Sequence, residues 1–251
     1  MNARIALTRL AAGLLAGALL QVGSARAAPD AQALLAAADR YRVEAADQRV
    51  QTRVETRDAD GTPQKERLYT VYLQTGRRSL VLMRSPAEAG QKVLMHGDDF
   101  WLLMPGSQRA LRITPAQKLL GEASVGDIAT LSWSEDYRGE LRGREDCEGT
   151  ACLHLSLQAT RKAVSYQRIE LWIGERRHEP LRAELYVQSD KLAKRARFEL
   201  AGTPARVQAM VLEDHLGSRR TTRVQYLSRE ARTVPETWMN PMFLARQPNL
   251  D

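Results

Sequence analysis

The sequence has two cysteines and four histidines, and it has no block of lysine or arginine. Each scarcity removes a class of function. Cys147 and Cys152 have four residues between them and no second Cys or His pair nearby, which leaves too few ligands for a zinc site. His96, His154, His178 and His215 are scattered among different strands and turns, so none has a second ligand or catalytic partner at a useful spacing. The nucleophile elbow G-x-S-x-G, the zinc motif H-E-x-x-H and a phosphate loop are all missing. The Gly-spaced run that resembles a nucleotide fingerprint lies inside the apolar N-terminus. No catalytic residue, cofactor or metal is expected. The net charge is +7, but it is spread along the chain without a nucleic-acid motif, so DNA and RNA are not expected partners.

What is present begins with an export signal. Arg4 and Arg9 precede an apolar core from Leu10 to Leu20, and Ala25-Arg26-Ala27 forms an A-x-A cleavage site before Ala28-Pro29. The core is too short to span a bilayer stably. Residues 1–27 are therefore expected to be cleaved, leaving 28–251 as one domain, since no linker rich in Pro, Gly or Ser divides it. Cleavage removes three arginines and no acid, so the mature charge is +4. In an exported chain, Cys147 and Cys152 read as a disulfide across a β-hairpin, worth about 2 kcal/mol for so small a loop.

Period-2 alternation dominates the rest. Leu181, Ala183, Leu185 and Val187 share one face of PLRAELYVQS, and Arg182, Glu184, Tyr186 and Gln188 share the other. Val50 and Val54, then Leu153, Leu155 and Leu157, then Ile169, Leu171 and Ile173, then Ala196, Phe198 and Leu200 repeat the pattern. Polar or Gly-rich turns separate these segments, and about ten strands in one antiparallel meander, curved or partly closed, are predicted. Two helices interrupt the rhythm. PDAQALLAAADRYR places Leu34, Leu35, Ala38 and Tyr41 on one face behind an Asp30 N-cap. ITPAQKLLG predicts a short helix capped by Thr114 and Gln117 and stopped by Gly121. The Pro-rich last 17 residues are expected to form no regular element.

Two acidic stretches invite a chemical reading. Asp58-Ala59-Asp60-Gly61 lacks the later ligands of a calcium loop and reads as a hairpin turn. Asp98 and Asp99 follow Gly97 between two strands, where neighbouring side chains point to opposite faces and cannot share a proton.

From Ser85-Pro86 onward the residues carry a resemblance. Its elements are Gly97-Asp98-Asp99-Phe100-Trp101 leading to Met104-Pro105, then Arg109 and Arg112 before Ile113, Gln117 with Leu120-Gly121, Gly126-Asp127-Ile128 and Asp136-Tyr137. It continues through Cys152-Leu153, Tyr166, Leu171-Trp172-Ile173, Pro180-Leu181-Arg182-Ala183-Glu184, and Lys194 before Phe198. Over roughly Val50 to Phe243 the chain resembles the outer-membrane lipoprotein-sorting proteins, relatives of the LolA carrier. The resemblance implies a half-barrel whose apolar concave side is covered by a helical lid, a periplasmic location, and acyl chains of a lipid or lipoprotein as cargo. Some relatives look like partners of inner-membrane RND-type transporters. The resemblance carries no catalytic residues, and a monomer is expected. A second reading is an envelope-stress sensor on the same fold that binds lipid or a membrane protein.

A carrier must shelter hydrocarbon from water at about 0.8 kcal/mol per methylene, on the order of 12 kcal/mol for a sixteen-carbon chain. The expected cavity and lid residues are Leu34, Leu35, Tyr41, Val54, Val71, Leu82, Trp101, Leu119, Leu155, Leu171, Leu185 and Phe198. Met83, Met95, Met104 and Met210 would add adaptable lining. The same residues could instead fill a solid core, and alternation does not separate the two.

Overall fold

The computed structural model describes residues 30–130, 132–217 and 220–250. The expected signal peptide lies outside them. The first helix forms as α1, Ala31–Asp39, with the Asp30 carboxylate accepting from the Gln32 N–H at 3.0 Å.

Six strands follow as a meander: β1 (Gln48–Arg57), β2 (Pro63–Gln74), β3 (Arg78–Met83), β4 (Lys92–His96), β5 (Asp99–Leu103) and β6 (Ala110–Ile113). A connecting segment holds β7 (Lys118–Leu120), β8 (Ala123–Ser124) and the helix α2 (Val125–Ala129). A second meander runs through β9 (Tyr137–Cys147), β10 (Thr150–Ala159), β11 (Arg168–Gly174), β12 (Pro180–Tyr186), β13 (Leu192–Ala201), β14 (Arg206–Asp214) and β15 (Thr221–Ala231). Because β15 pairs with β1, the two arms form one antiparallel sheet of 13 strands with β6 at one edge and β9 at the other. The expected ten strands undercount the short hairpins of the first arm.

This order has a consequence for the connecting segment. It starts at one edge strand and ends at the opposite one, so it must cross a face of the sheet, and Val125, Ile128, Ala129 and Trp133 pack with Val54, Leu155 and Phe198 on the inner one. Residues 114–130 and 132–136 thus roof the sheet.

The expected helix over ITPAQKLLG is not formed. Pro115 and Ala116 turn the chain instead, the Pro115 carbonyl accepts from the Gly126 N–H at 2.9 Å, and Lys118–Leu120 pairs with β8. Gly121 is in the left-handed region at φ +55, and a Cβ there would run into the side chains of Thr56 and Thr222. It marks a close approach of roof to sheet, not a helix stop. The helix comes one step later as α2, where Ser124 and Asp127 complete a capping box.

Alternation sorts the sheet into two apolar layers. Val50, Val54, Val71, Leu155, Leu171 and Phe198 join Leu34, Leu35 and Ile128 in an inner cluster between sheet and roof. On the convex side Tyr72, Leu80, Leu82, Leu94 and Leu103 are covered by the C-terminal segment through Val234, Met239, Leu244 and Leu250. That segment is more regular than its prolines suggest, because Asn240 caps a helical turn α3, Pro241–Leu244, by accepting from Met242 and Phe243. Cys147 and Cys152 are bonded across the β9–β10 hairpin, with Cα atoms 6.0 Å apart. Gly97 and Asp98 make the β4–β5 turn, with Gly97 at φ +63.

Candidate functional site

The roofed concave face brings together most of the residues expected to line a cavity. Leu34 and Leu35 come from α1, Val54 and Val71 from the first arm, and Leu155, Leu171, Leu185 and Phe198 from the second, all buried in one cluster. Leu119 and Tyr41 lie half-buried at its margin, and the Tyr41 hydroxyl donates to the Arg177 carbonyl at 2.8 Å. Leu82 and Trp101 are corrections, since both sit on the convex side beneath the C-terminal segment. Strand parity explains it: Phe100 and Leu102 take the inward positions of β5, and Leu82 faces away from Val81 and Met83. Met83, Met95 and Met210 are in the inner cluster.

The expected hollow is largely filled in this state. One void of about 50 Å³ is lined by Arg42, Trp133, Tyr166, Ile169, Phe198 and Met210 among others. A second, of about 90 Å³, lies between Val43, Leu73, Met95 and Ala129. Pockets that enclose whole small molecules run to ~300–1,000 Å³. Neither void is lined by Tyr41 or Leu119. A long acyl chain would therefore have to displace part of the roof.

Buried polar contacts help hold that roof. Asp127 of α2 accepts from the Ser124 N–H and hydroxyl, each at 2.8 Å, and from the Tyr166 hydroxyl at 2.9 Å. Lys194, reaching inward from β13, donates to Asp127 at 2.8 Å and also to the Glu122 carbonyl. Burial, followed by the Asp127 charge, drives the Tyr166 phenol far above its usual range, so it serves as a donor. Asp39, at the end of α1, accepts from the Ser132 hydroxyl and the Trp133 and Ser134 N–H groups, each at 2.8 Å. Arg42 lies over the Trp133 ring, 3.9 Å from its centre, and Trp133 meets Phe198 edge to face at 5.5 Å.

One end of the half-barrel is closed by charge. Arg77, from the β2–β3 turn, pairs with buried Asp136 at the start of β9 and donates to the Ala163 carbonyl at 3.2 Å. Asp98 lies 3.6 Å from Arg77 and 3.5 Å from Arg161, so this turn acid helps join the tips of the two arms. Asp99 pairs with Arg112 at 2.6 Å. Burial raises the Asp136 carboxyl above its ordinary value, and the hydrogen bond and charge of Arg77 oppose the rise.

His154 alternates away from its leucine neighbours as expected, yet it is covered. It stacks on Trp172 at 4.4 Å with Glu145 and Glu170 at 2.8 and 2.9 Å from its two ring nitrogens. Sequence reasoning assigned no role to Lys194, Asp127, Arg42 or Trp133. Lys194 could have been placed, because it shares the inward parity of Ala196 and Phe198.

Comparison with known proteins follows the same lines. A LolA superfamily protein from Nitrosomonas europaea is 27% identical, with 85% of this chain and 98% of that chain covered at a TM-score of 0.79. A protein domain assigned to outer membrane lipoprotein sorting in Vibrio parahaemolyticus is 19% identical, covering 86% of this chain and 98% of that one at a TM-score of 0.69. No curated protein matches the chain. A family model described as "Uncharacterized protein" matches residues 75–246. The chain belongs to that family, and its fold is the lipoprotein-sorting fold of the LolA superfamily.

Proposed function

We propose that the chain is a periplasmic, non-enzymatic carrier that takes up acyl chains of a lipid or lipoprotein on its concave face and delivers them toward the outer membrane. Residues 1–27 direct export, and 28–251 act as one monomeric domain. An inner-membrane RND-type transporter is the proposed donor. The observation that carries this reading is the roof itself: it covers the inner apolar face of the sheet and is pinned in part by buried charge pairs. Such pairs stabilise little relative to apolar packing because each ion must shed its water, and their best-attested use is to specify or switch a conformation. Once the roof has moved, Leu34, Leu35, Val54, Val71, Leu155, Leu171, Leu185 and Phe198 would contact the hydrocarbon, with Leu119 and Tyr41 at its margin. Its burial is worth about 0.8 kcal/mol per methylene, which works against the cost of opening. Native mass spectrometry of protein purified from a lysate that contains membranes tests the reading. Co-purified lipid, together with uptake of a fluorescent fatty acid, is the expected result. Bare protein and no uptake would refute it.

A further inference from the structure

Beside the inner void stands a group of three arginines that, among the described residues, share a single carboxylate, Glu44. The Val207 N–H donates to the Tyr41 carbonyl at 2.9 Å, which sets Arg42 and Arg206 side by side, and Arg229 donates to the Val207 carbonyl at 2.5 Å. Arg42 is 5% exposed and the Arg229 side chain 7%. Arg42 Nη1, Arg206 Nε and Arg229 Nε are buried without a hydrogen-bond partner. Glu44 is the carboxylate that reaches the group, 3.8 Å from Arg206 and 4.0 Å from Arg229, and among the described residues Arg42 has no ion pair. Burial, with Arg206 and Arg42 adding to it, lowers the affinity of the Arg229 guanidinium for its proton.

Arg42 also lies over the Trp133 ring, Arg229 is 4.6 Å from the centre of the Tyr226 ring, and Arg206 donates to the Ala205 carbonyl at 2.9 Å. Rings and carbonyls offset a buried charge less than a close carboxylate does, and the nearest one, Glu44, is shared and 3.8 Å away. The planar fork of arginine matches the oxygens of a carboxylate or phosphate. Position supplies the rest. Arg42 lines the same void as Ile169, Phe198 and Met210, so charge recognition and hydrocarbon recognition adjoin.

We propose that Arg42, Arg206 and Arg229 bind the anionic head group, carboxylate or phosphate, of a lipid whose tail lies on the concave face. The inference rests on the carrier reading and narrows it, because a cargo with only neutral ester and amide groups at its head would leave these cations unmatched.

The test titrates the mature protein with a tail-labelled fluorescent fatty acid, with its methyl ester, and with inorganic phosphate. The acid should bind at least about tenfold more tightly than the ester, by the gain of charge-assisted hydrogen bonds. Arg42→Gln and Arg229→Gln should bring the two affinities together by weakening only the acid, and Arg42→Lys should keep part of the preference. Equal binding of acid and ester by the unaltered protein overturns the head-group site and leaves the carrier standing. Binding of neither overturns the carrier reading itself. Inorganic phosphate binding as tightly as the acid identifies a free-anion site and overturns the lipid assignment. The more exposed Arg206→Gln supplies a milder variant if Arg42 is needed for folding.

Discussion

Replacing Lys194 with Met removes the ammonium that meets Asp127 and keeps most of the stem, so charge is lost with little change in volume. Asp127 is 7% exposed and would keep its donors Ser124 and Tyr166, but among the described residues no other cation pairs with it. Breaking one side of a buried pair costs about 3–5 kcal/mol, and the remaining neutral donors favour the lower end, about 3 kcal/mol. Asp127→Asn should cost a similar amount by stranding Lys194. The double variant should cost clearly less than the two together, with a coupling of about 2 kcal/mol. Urea unfolding reads this directly, since about 3 kcal/mol at an m-value of about 1–3 kcal/mol/M moves the midpoint by 1 M or more. If Lys194→Met unfolds within about 1 kcal/mol of the unaltered protein, and the double variant is additive, the pair is not what pins α2.

Arg77→Met should make stability depend on pH in a defined direction. Burial already raises the Asp136 carboxyl, and without Arg77 nothing nearby opposes it as strongly, so the folded state binds this proton more tightly than the unfolded state. Stability is then lost as pH rises through the folded-state value and fully regained only below the ordinary aspartate value of about 3.9, so urea midpoints of variant and parent should move apart as pH rises and converge toward the acid end. Parallel curves would contradict the assignment. Cys147→Ser with Cys152→Ser should cost about 2 kcal/mol with no effect on uptake, measured by thermal unfolding and fatty-acid titration. Gly121→Ala should destabilise by about 1–3 kcal/mol, because its Cβ meets Thr56 and Thr222 at a positive φ. Leu94→Ala, beneath the C-terminal segment, should cost about 2–5 kcal/mol and leave the acid-to-ester preference unchanged.

The strands were legible because one face is apolar and the other polar over most of the second arm, as in Leu153, Leu155 and Leu157 against His154 and Ser156. The first arm was harder. Around Phe100 and Trp101 both faces are apolar, since one meets the roof and the other the C-terminal segment, and alternation cannot say which side is concave. Leu82 and Trp101 were misplaced for that reason. The helix expected at Thr114 failed because Pro115 makes one turn and Gly121 a second, packed against Thr56 and Thr222 of the sheet, which only the sheet opposite explains, whereas Asp30 and α1 depend on local capping and were read correctly. Arg42, Arg206 and Arg229 come from the end of α1, β14 and β15, and no local pattern joins them. That the segment after β6 crosses the sheet follows from the two edge strands it connects, which is a property of pairing and not of composition.

The most direct test of a sheet that opens to receive hydrocarbon uses Trp133. It is 7% exposed, touches Phe198 and lines the inner void, whereas Trp101 and Trp238 belong to the convex cluster and Trp172 stacks on His154. A fatty acid brominated along its chain should quench tryptophan emission on binding, and Trp133→Phe should abolish the quenching while the acid still binds. Binding without quenching, or quenching that survives Trp133→Phe, would place the hydrocarbon somewhere other than beneath the roof.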